Sequence, residues 1–238
     1  MAKHVNPFNT DDQPPFSGFP ADALVFFRQL KKNNTREWFA KNKERFDDAV
    51  RRPMEALLET LAASLRGAVP EIAIEPKKAI YRIYRDTRFS KDKTPYKTWC
   101  AASFSHAGRD RKTAPGYYFH FNDTELGIGG GLYAPMPDQL KALRTAIDRD
   151  PTPLLAILAD RKFKKLFGEL DGELLVRVPQ GFDKEHPSEE LLRRKQFLCW
   201  TTSDPQIICD EGFVALLASH IQAMAPLVRW LTENDRVD

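Results

Sequence analysis

The spacing of apolar residues changes twice along the chain, and these changes constrain the fold more than any other feature. Between residues 20 and 67 apolar side chains recur at helical intervals, as in Met54, Leu57, Leu58 and Leu61. Between residues 79 and 131 the interval shortens to about two residues, which is typical of strands. Helical spacing returns after Pro137. Helices, then strands, then helices predict an α+β fold, in which helices pack on one face of a mainly antiparallel central sheet.

Four consecutive segments are predicted to form the strands of this sheet, since each is rich in Ile, Tyr, Phe or Trp. They are residues 79–85, 98–104, 116–122 and 125–131. Short links between consecutive strands favour antiparallel neighbours. Farther along the chain, residues 174–178 also have a strand-like pattern, and residues 197–202 are predicted to return to the sheet.

Composition places the chain among ordinary globular proteins. It has 238 residues, of which 42% are hydrophobic. Residues 1–16 combine three prolines with little apolar periodicity, so we expect a flexible N-terminal arm before a single domain over residues 17–238. No apolar run approaches the roughly 18 residues of a membrane span, and the three cysteines show no CxxC spacing. We therefore expect a cytoplasmic protein with no membrane partner, no disulfide framework and no metal site.

Positive charge is concentrated in one segment. Residues 77–112 hold eleven Lys and Arg against three Asp, a balance of +8, whereas the rest of the chain has a balance of −5. The total of +3 is too small to indicate a nucleic-acid or membrane partner by itself. A neutral-to-acidic body that carries one basic segment predicts a site for an anion. A solvated basic loop is the alternative interpretation.

The centre of this segment supplies the candidate ligand-binding side chains. Guanidinium groups present donors in a plane that matches phosphate and carboxylate, and tyrosines add hydroxyl donors or stacking faces. The predicted ligand-binding residues are Arg82, Arg85, Arg88, Lys93, Tyr96 and Lys97. We expect support from Tyr84 and from Asp86 and Asp92, whose carboxylates can neutralise two of the cations. A salt-bridge network that locks a long loop against the sheet is the alternative.

Two further features are predicted to border this site. His120 shares a strand face with Tyr118 and can act as an acid or a base near neutral pH. Gly129, Gly130 and Gly131 allow a strand end to approach a ligand or another backbone closely. We expect the Arg85 and Arg88 head groups to meet near Asp92, in a cleft that these glycines border. No phosphate loop, dinucleotide motif or nucleophile elbow is present, so the sequence leaves catalytic residues, cofactors and any reaction open.

The basic segment is also similar to a family signature. It reads RxxRDxRF followed by DKxxY, from Arg82 to Tyr96. Further matches are Asn33-Asn34, Gly130-Gly131-Leu132-Tyr133 and Leu191-Leu192. From Phe16 onwards the chain resembles a bacterial family catalogued as domain of unknown function 2461, with related regions in longer fungal proteins. The resemblance implies no particular activity, but it supports a site in this segment.

Three functions fit these residues. The first is a soluble domain that binds a small phosphate- or carboxylate-bearing ligand, with or without catalysis. The second is a nucleic-acid binder, in which the basic segment contacts phosphates and Tyr84, Tyr96 or Trp99 stacks on bases. The third is a structural salt-bridge network in a protein that acts through a protein partner. We favour a small anionic ligand over nucleic acid, and the sequence does not indicate the oligomeric state.

Overall fold

A computed structural model describes residues 16–110 and 113–236, and this part of the chain contains ten α-helices and five strands. The helices are α1 (Asp22–Lys32), α2 (Arg36–Lys41), α3 (Lys43–Phe46), α4 (Arg52–Leu65), α5 (Pro76–Ala79), α6 (Pro137–Arg149), α7 (Thr152–Ala159), α8 (Arg161–Phe167), α9 (Glu189–Arg193) and α10 (Phe213–Asn234). The strands are β1 (Ile72–Ala73), β2 (Cys100–His106), β3 (Gly116–Phe121), β4 (Leu126–Leu132) and β5 (Phe197–Ser203). This content confirms the predicted α+β class.

The five strands form one antiparallel sheet in the order β1-β2-β3-β4-β5. Strand β3 alternates as a half-buried strand should, because Tyr117, Phe119 and Phe121 are buried while Tyr118 and His120 point to the other face. The long helix α10 packs on β4, where a Cβ atom at Gly130 would overlap the Sδ atom of Met224. The helices therefore cover one face of the sheet, as predicted.

The first predicted strand, residues 79–85, is wrong as a strand. Its start belongs to α5, and beyond α5 the chain makes only isolated bridges, at Ile80 with Ala102 and at Tyr84 with Tyr96. The opposing chain includes Pro95, which has no N–H to donate, so a regular ladder cannot extend through this pairing. The edge strand is instead the short β1, which the sequence pattern does not reveal.

Of the two strands predicted later in the chain, one is wrong and one is confirmed. Residues 174–178 form no strand, since only Leu174 makes a bridge, with Arg194. The predicted return to the sheet is confirmed by β5. The boundary of the predicted arm also shifts: Phe16 is buried and packs on the rings of Phe19 and Phe213, while residues 1–15 lie outside the described residues.

Helix α10 lies at the centre of the core. Within the described residues it is the one helix long and apolar enough to cross a membrane by length and composition, but 61% of its most apolar window is buried inside the protein. It contacts β4, α4 and four further helical elements, and Leu217, Met224 and Leu231 are fully buried along it. These contacts are those of a core helix in a two-layer α+β fold.

Candidate functional site

The predicted ligand-binding residues lie on an irregular hairpin formed by residues 80–99, which we call the basic hairpin. Its two sides are joined by backbone hydrogen bonds from Arg85 N to Pro95 O (2.9 Å) and from Lys97 N to Ile83 O (2.8 Å). The bond from Tyr81 N to the β2 residue Ala101 (2.9 Å) attaches the hairpin to the edge of the sheet. Residues 86–94 form its tip.

The connection between α1 and α2 fixes the base of the basic hairpin. The side chain of Asn34 donates from Nδ2 to Tyr96 O (2.9 Å) and accepts at Oδ1 from Tyr96 N (3.0 Å). The Tyr96 ring stacks on Phe39 of α2, with ring centroids 4.1 Å apart. Thr35 caps α2, as its side chain accepts a hydrogen bond from Trp38 N. Two segments about sixty positions apart in the sequence thus meet in a defined register.

Within the hairpin, each aspartate of the motif pairs with an arginine. Arg85 donates from Nη1 to Asp92 Oδ2 (2.5 Å) and to the Thr94 hydroxyl. The Thr94 backbone N–H donates to Asp92 Oδ1 (2.9 Å), and this bond together with Arg85 lowers the pKa of Asp92 to about 2. Arg88 donates from Nε (3.0 Å) and Nη2 (2.7 Å) to the two oxygens of Asp86, which lowers the pKa of that carboxyl to about 2 as well.

A polar cleft of about 780 Å³ lies between the hairpin and the start of α2, and we call it the basic cleft. Its polar and charged lining comprises Asn34, Thr35, Arg36, Tyr84, Arg85, Thr87, Lys93 and Tyr96. Three of these side chains are cationic and none is acidic. Lys93 donates from Nζ to Thr87 O (2.9 Å), and Arg36 makes no salt bridge with any residue in the described ranges. The cleft therefore concentrates positive charge at the surface.

Only part of the predicted site lines this cleft: Arg85, Lys93, Tyr96 and the supporting Tyr84. The paired side chains of Arg88 and Asp86 are exposed on the tip, and Arg82 is exposed as well. Asp92 does not line the cleft but accepts a hydrogen bond from Arg85, which orients that guanidinium.

Arg85 contacts Asp92 as expected, but Arg88 pairs with Asp86 instead, and neither Arg88 nor the glycines of β4 line the basic cleft. Neighbouring residues of the hairpin point to opposite sides: Tyr96 packs on Phe39, whereas the Nζ atom of Lys97 lies over the rings of Tyr81 (5.3 Å) and Trp99 (4.9 Å). The hairpin thereby separates the predicted residues between two concavities.

The second concavity, which we call the aromatic hollow, lies on the face of the sheet opposite α10 and has a volume of about 670 Å³. It contains the predicted Gly129, Gly130, Gly131 and His120, together with the rings of Tyr81, Trp99, Tyr118 and Trp200. The Nε2 atom of His120 lies 3.1 Å from Glu125 Oε1, which fixes the imidazole against the sheet. Burial raises the pKa of Tyr118 above its usual value.

Sequence reasoning missed several residues of both concavities. Asn34 appeared only as part of the family resemblance, and nothing in the sequence connected Arg36 with the basic segment. The sequence did not indicate that Trp200 lies at this site either, because its place over β4 is set by the pairing of β4 with β5.

The described part of the chain shows neither a nucleophilic cysteine nor a metal centre. Burial raises the pKa of both Cys100 and Cys199 to about 12, which keeps them as unreactive thiols. In residues 16–110 and 113–236, no group of three His, Cys, Asp or Glu side chains is arranged to hold a metal ion. The side chains that line the two concavities can contact a ligand through charge, hydrogen bonding and stacking.

Comparison with known proteins gives the family. No curated protein matches the chain significantly. A family model described as "Conserved hypothetical protein (DUF2461)" matches residues 22–230, a range that includes the basic hairpin, the start of α2 and the strands under the aromatic hollow. The chain therefore belongs to the DUF2461 family of conserved hypothetical proteins.

Proposed function

We propose that this protein binds a small anionic ligand, with a phosphate or carboxylate group, in the basic cleft. The observation that carries the proposal is the lining of the cleft, where Arg36, Arg85 and Lys93 are the charged side chains and no carboxylate is present. An anion in this position would make charge-assisted hydrogen bonds, which are stronger than neutral ones.

Arg85 is the best oriented of the three cations. Asp92 and Thr94 hold its Nη1 atom, and the side chain is only 25% exposed. Its Nε and Nη2 atoms make no hydrogen bond with the described residues, so two donors of a fixed guanidinium are available to a ligand. Orientation before binding reduces the entropy that a ligand would have to remove. Arg36 and Lys93, which are exposed, add positive charge around this fixed donor.

The proposal includes a cytoplasmic location. All three cysteines are free thiols, although two of them are buried where oxidation could not easily reach. Free thiols are typical of reducing compartments.

Nucleic-acid binding is the second candidate, and one observation favours it. Phe89 at the tip of the hairpin is 95% exposed, and the guanidinium of Arg88 lies 5.7 Å from its ring centroid. An exposed ring beside cations can stack on a base while the cations contact phosphates. This surface is the outer tip of the hairpin and not the basic cleft, so variants can separate the two functions.

The test is a thermal-shift titration with inorganic phosphate, pyrophosphate and citrate. The cleft variants are Arg36→Ala and Arg85→Gln, and the matched control is Arg88→Ala, which removes an arginine of the same hairpin outside the cleft. We expect at least one anion to stabilise the wild type and the control, by about 2.7 kcal/mol at a concentration of about 100 times the dissociation constant. Both cleft variants should lose most of this effect, because each removes a charged donor.

Two results would contradict the proposal: no stabilisation by any of the three anions, or equal stabilisation of the wild type and both cleft variants. A short single-stranded RNA serves as the competing ligand. If the RNA binds, loses affinity steeply with salt and depends on Arg88 instead of Arg36, the second candidate is correct.

A further inference from the structure

We infer that the aromatic hollow is a separate binding site, and that it takes a flat heterocyclic ring with hydrogen-bonding edges, of the size of a nucleobase or nucleoside. This inference does not depend on the basic cleft. The two concavities share none of their lining residues and are formed by opposite sides of the basic hairpin.

Five rings form a continuous network across the open face of the sheet. Trp99 contacts Tyr81 and His120, with centroids 6.1 and 6.3 Å apart, and Trp200 contacts Tyr118 and His120 at 6.0 and 5.6 Å. Cross-strand aromatic pairs of this kind also stabilise sheets without binding anything. Here, however, the rings border a concavity of about 670 Å³, within the range of small-molecule sites, and no helix of the described chain packs over it.

Two glycines of β4 make room for the indole of Trp200 against the strand. A Cβ atom at Gly129 would lie 2.5 Å from Cε3 of Trp200, and one at Gly127 would overlap the same indole and lie 2.7 Å from Cε1 of His120. Neither glycine has a positive φ, so the backbone conformation does not require them. Glycine weakens the interior of a strand, and what it provides here is space that lets the indole lie flat on the backbone. The result is a flat aromatic floor instead of a packed layer of side chains.

Polar groups at two sides of the floor define what kind of ring fits. Lys97 holds its ammonium over Tyr81 and Trp99, which border the hollow next to β2, and its Nζ atom also donates to Arg82 O (2.8 Å). Asp171 lines the hollow at the opposite side, where its backbone N–H donates to Leu198 O of β5 (2.7 Å) and its carboxylate accepts at Oδ1 from the Gly172 N–H (2.7 Å). A ring with an acceptor at one edge and a donor at the other complements both charges, whereas a plain hydrocarbon ring complements neither. Heterocycles such as nucleobases have such edges, and they stack on aromatic residues of open sheet faces.

The experiment is calorimetric titration with adenosine and cytidine, with ribose as the probe that lacks a ring. We expect at least one nucleoside to bind the wild type and ribose not to bind. Trp200→Leu removes the stacking face and should weaken binding at least about 10-fold, whereas Trp200→Phe retains an aromatic face and should keep most of the affinity. Trp99→Leu lies outside the strands and provides the same test if Trp200→Leu does not fold.

The controls separate this inference from the proposed anion site. Arg36→Ala, which alters only the basic cleft, should leave nucleoside affinity unchanged, and phosphate should not compete with the nucleoside. A short single-stranded RNA compared with the nucleoside distinguishes a base within a strand from a free base, and binding of either at the hollow supports the inference. Absence of nucleoside and RNA binding would overturn it, as would binding that depends on Arg36 and not on Trp200 or Trp99.

Discussion

The contact between Asn34 and Tyr96 allows a quantitative prediction, because one amide group joins the α1–α2 connection to the basic hairpin. Replacing Asn34 by alanine removes two hydrogen bonds at once, to the carbonyl oxygen and from the N–H group of the same residue. Tyr96 is only 5% exposed, so water replaces these partners poorly. The substitution therefore leaves the backbone N–H and carbonyl groups of Tyr96 without good hydrogen-bond partners.

The expected loss follows from these two bonds. Each contributes about 1 kcal/mol net, and an unsatisfied buried partner adds to the cost, so we expect Asn34→Ala to lower the free energy of unfolding by about 2–3 kcal/mol. For a protein of this size, 1 kcal/mol corresponds to about 2–4 °C in melting temperature, which gives a decrease of about 4–12 °C.

Urea unfolding measures this loss, and the neighbouring residue provides a matched control. The side chain of Asn33 donates one hydrogen bond, to Gln29 O within its own exposed turn (2.9 Å). Asn33→Ala should therefore cost less than about 1 kcal/mol. Equal losses in the two variants, with unchanged dependence of the free energy on urea, would refute the argument that Asn34 joins two distant segments.

Three further predictions concern other parts of the molecule. Asp92→Asn should reduce stability at neutral pH, and the difference from the wild type should disappear as the pH falls from about 4 to 2 in acid titrations of unfolding, because the folded-state pKa of Asp92 lies below its ordinary value of 3.8. Gly130→Val should lower the melting temperature, at a cost of about 1–3 kcal/mol, because its side chain would push against Met224 of α10. A thiol reagent should label at most one cysteine in the native protein and all three after denaturation, because Cys100 and Cys199 are buried.

The regular part of the fold follows from the sequence pattern because it depends on local periodicity. Alternation in β3 identifies the buried face, and the helical spacing after Pro137 indicates the helices that follow the sheet, since both patterns are read within one segment. Residues 79–85 have the same alternation but form no strand. Their pairing partner is distant and contains Pro95, so the outcome depends on a contact that periodicity does not encode.

Only part of the aromatic hollow could be predicted from the sequence, because its other part also depends on a distant contact. The glycines of β4 suggest a close approach at this strand, and in the structure a Cβ atom at Gly129 would meet the ring of Trp200. What approaches them is Trp200, some seventy residues later, and it does so because Gly129 is paired with Trp200 in the register of β4 and β5. Register between strands that are not adjacent in sequence is set by the whole packed sheet.

The number of cations in a segment does not tell which of them line a binding site. The sequence places several cations within the basic segment, but Arg88 is paired with the aspartate two positions away and points into solvent. Such an exposed pair adds little to stability, and it lies outside the basic cleft. Meanwhile Arg36, which lies outside the segment, enters the basic cleft because Asn34 holds the start of α2 against the hairpin. The positive potential of the cleft therefore depends on two bonds made by an uncharged side chain, and this is why loss of Asn34 should weaken anion binding as well as the fold.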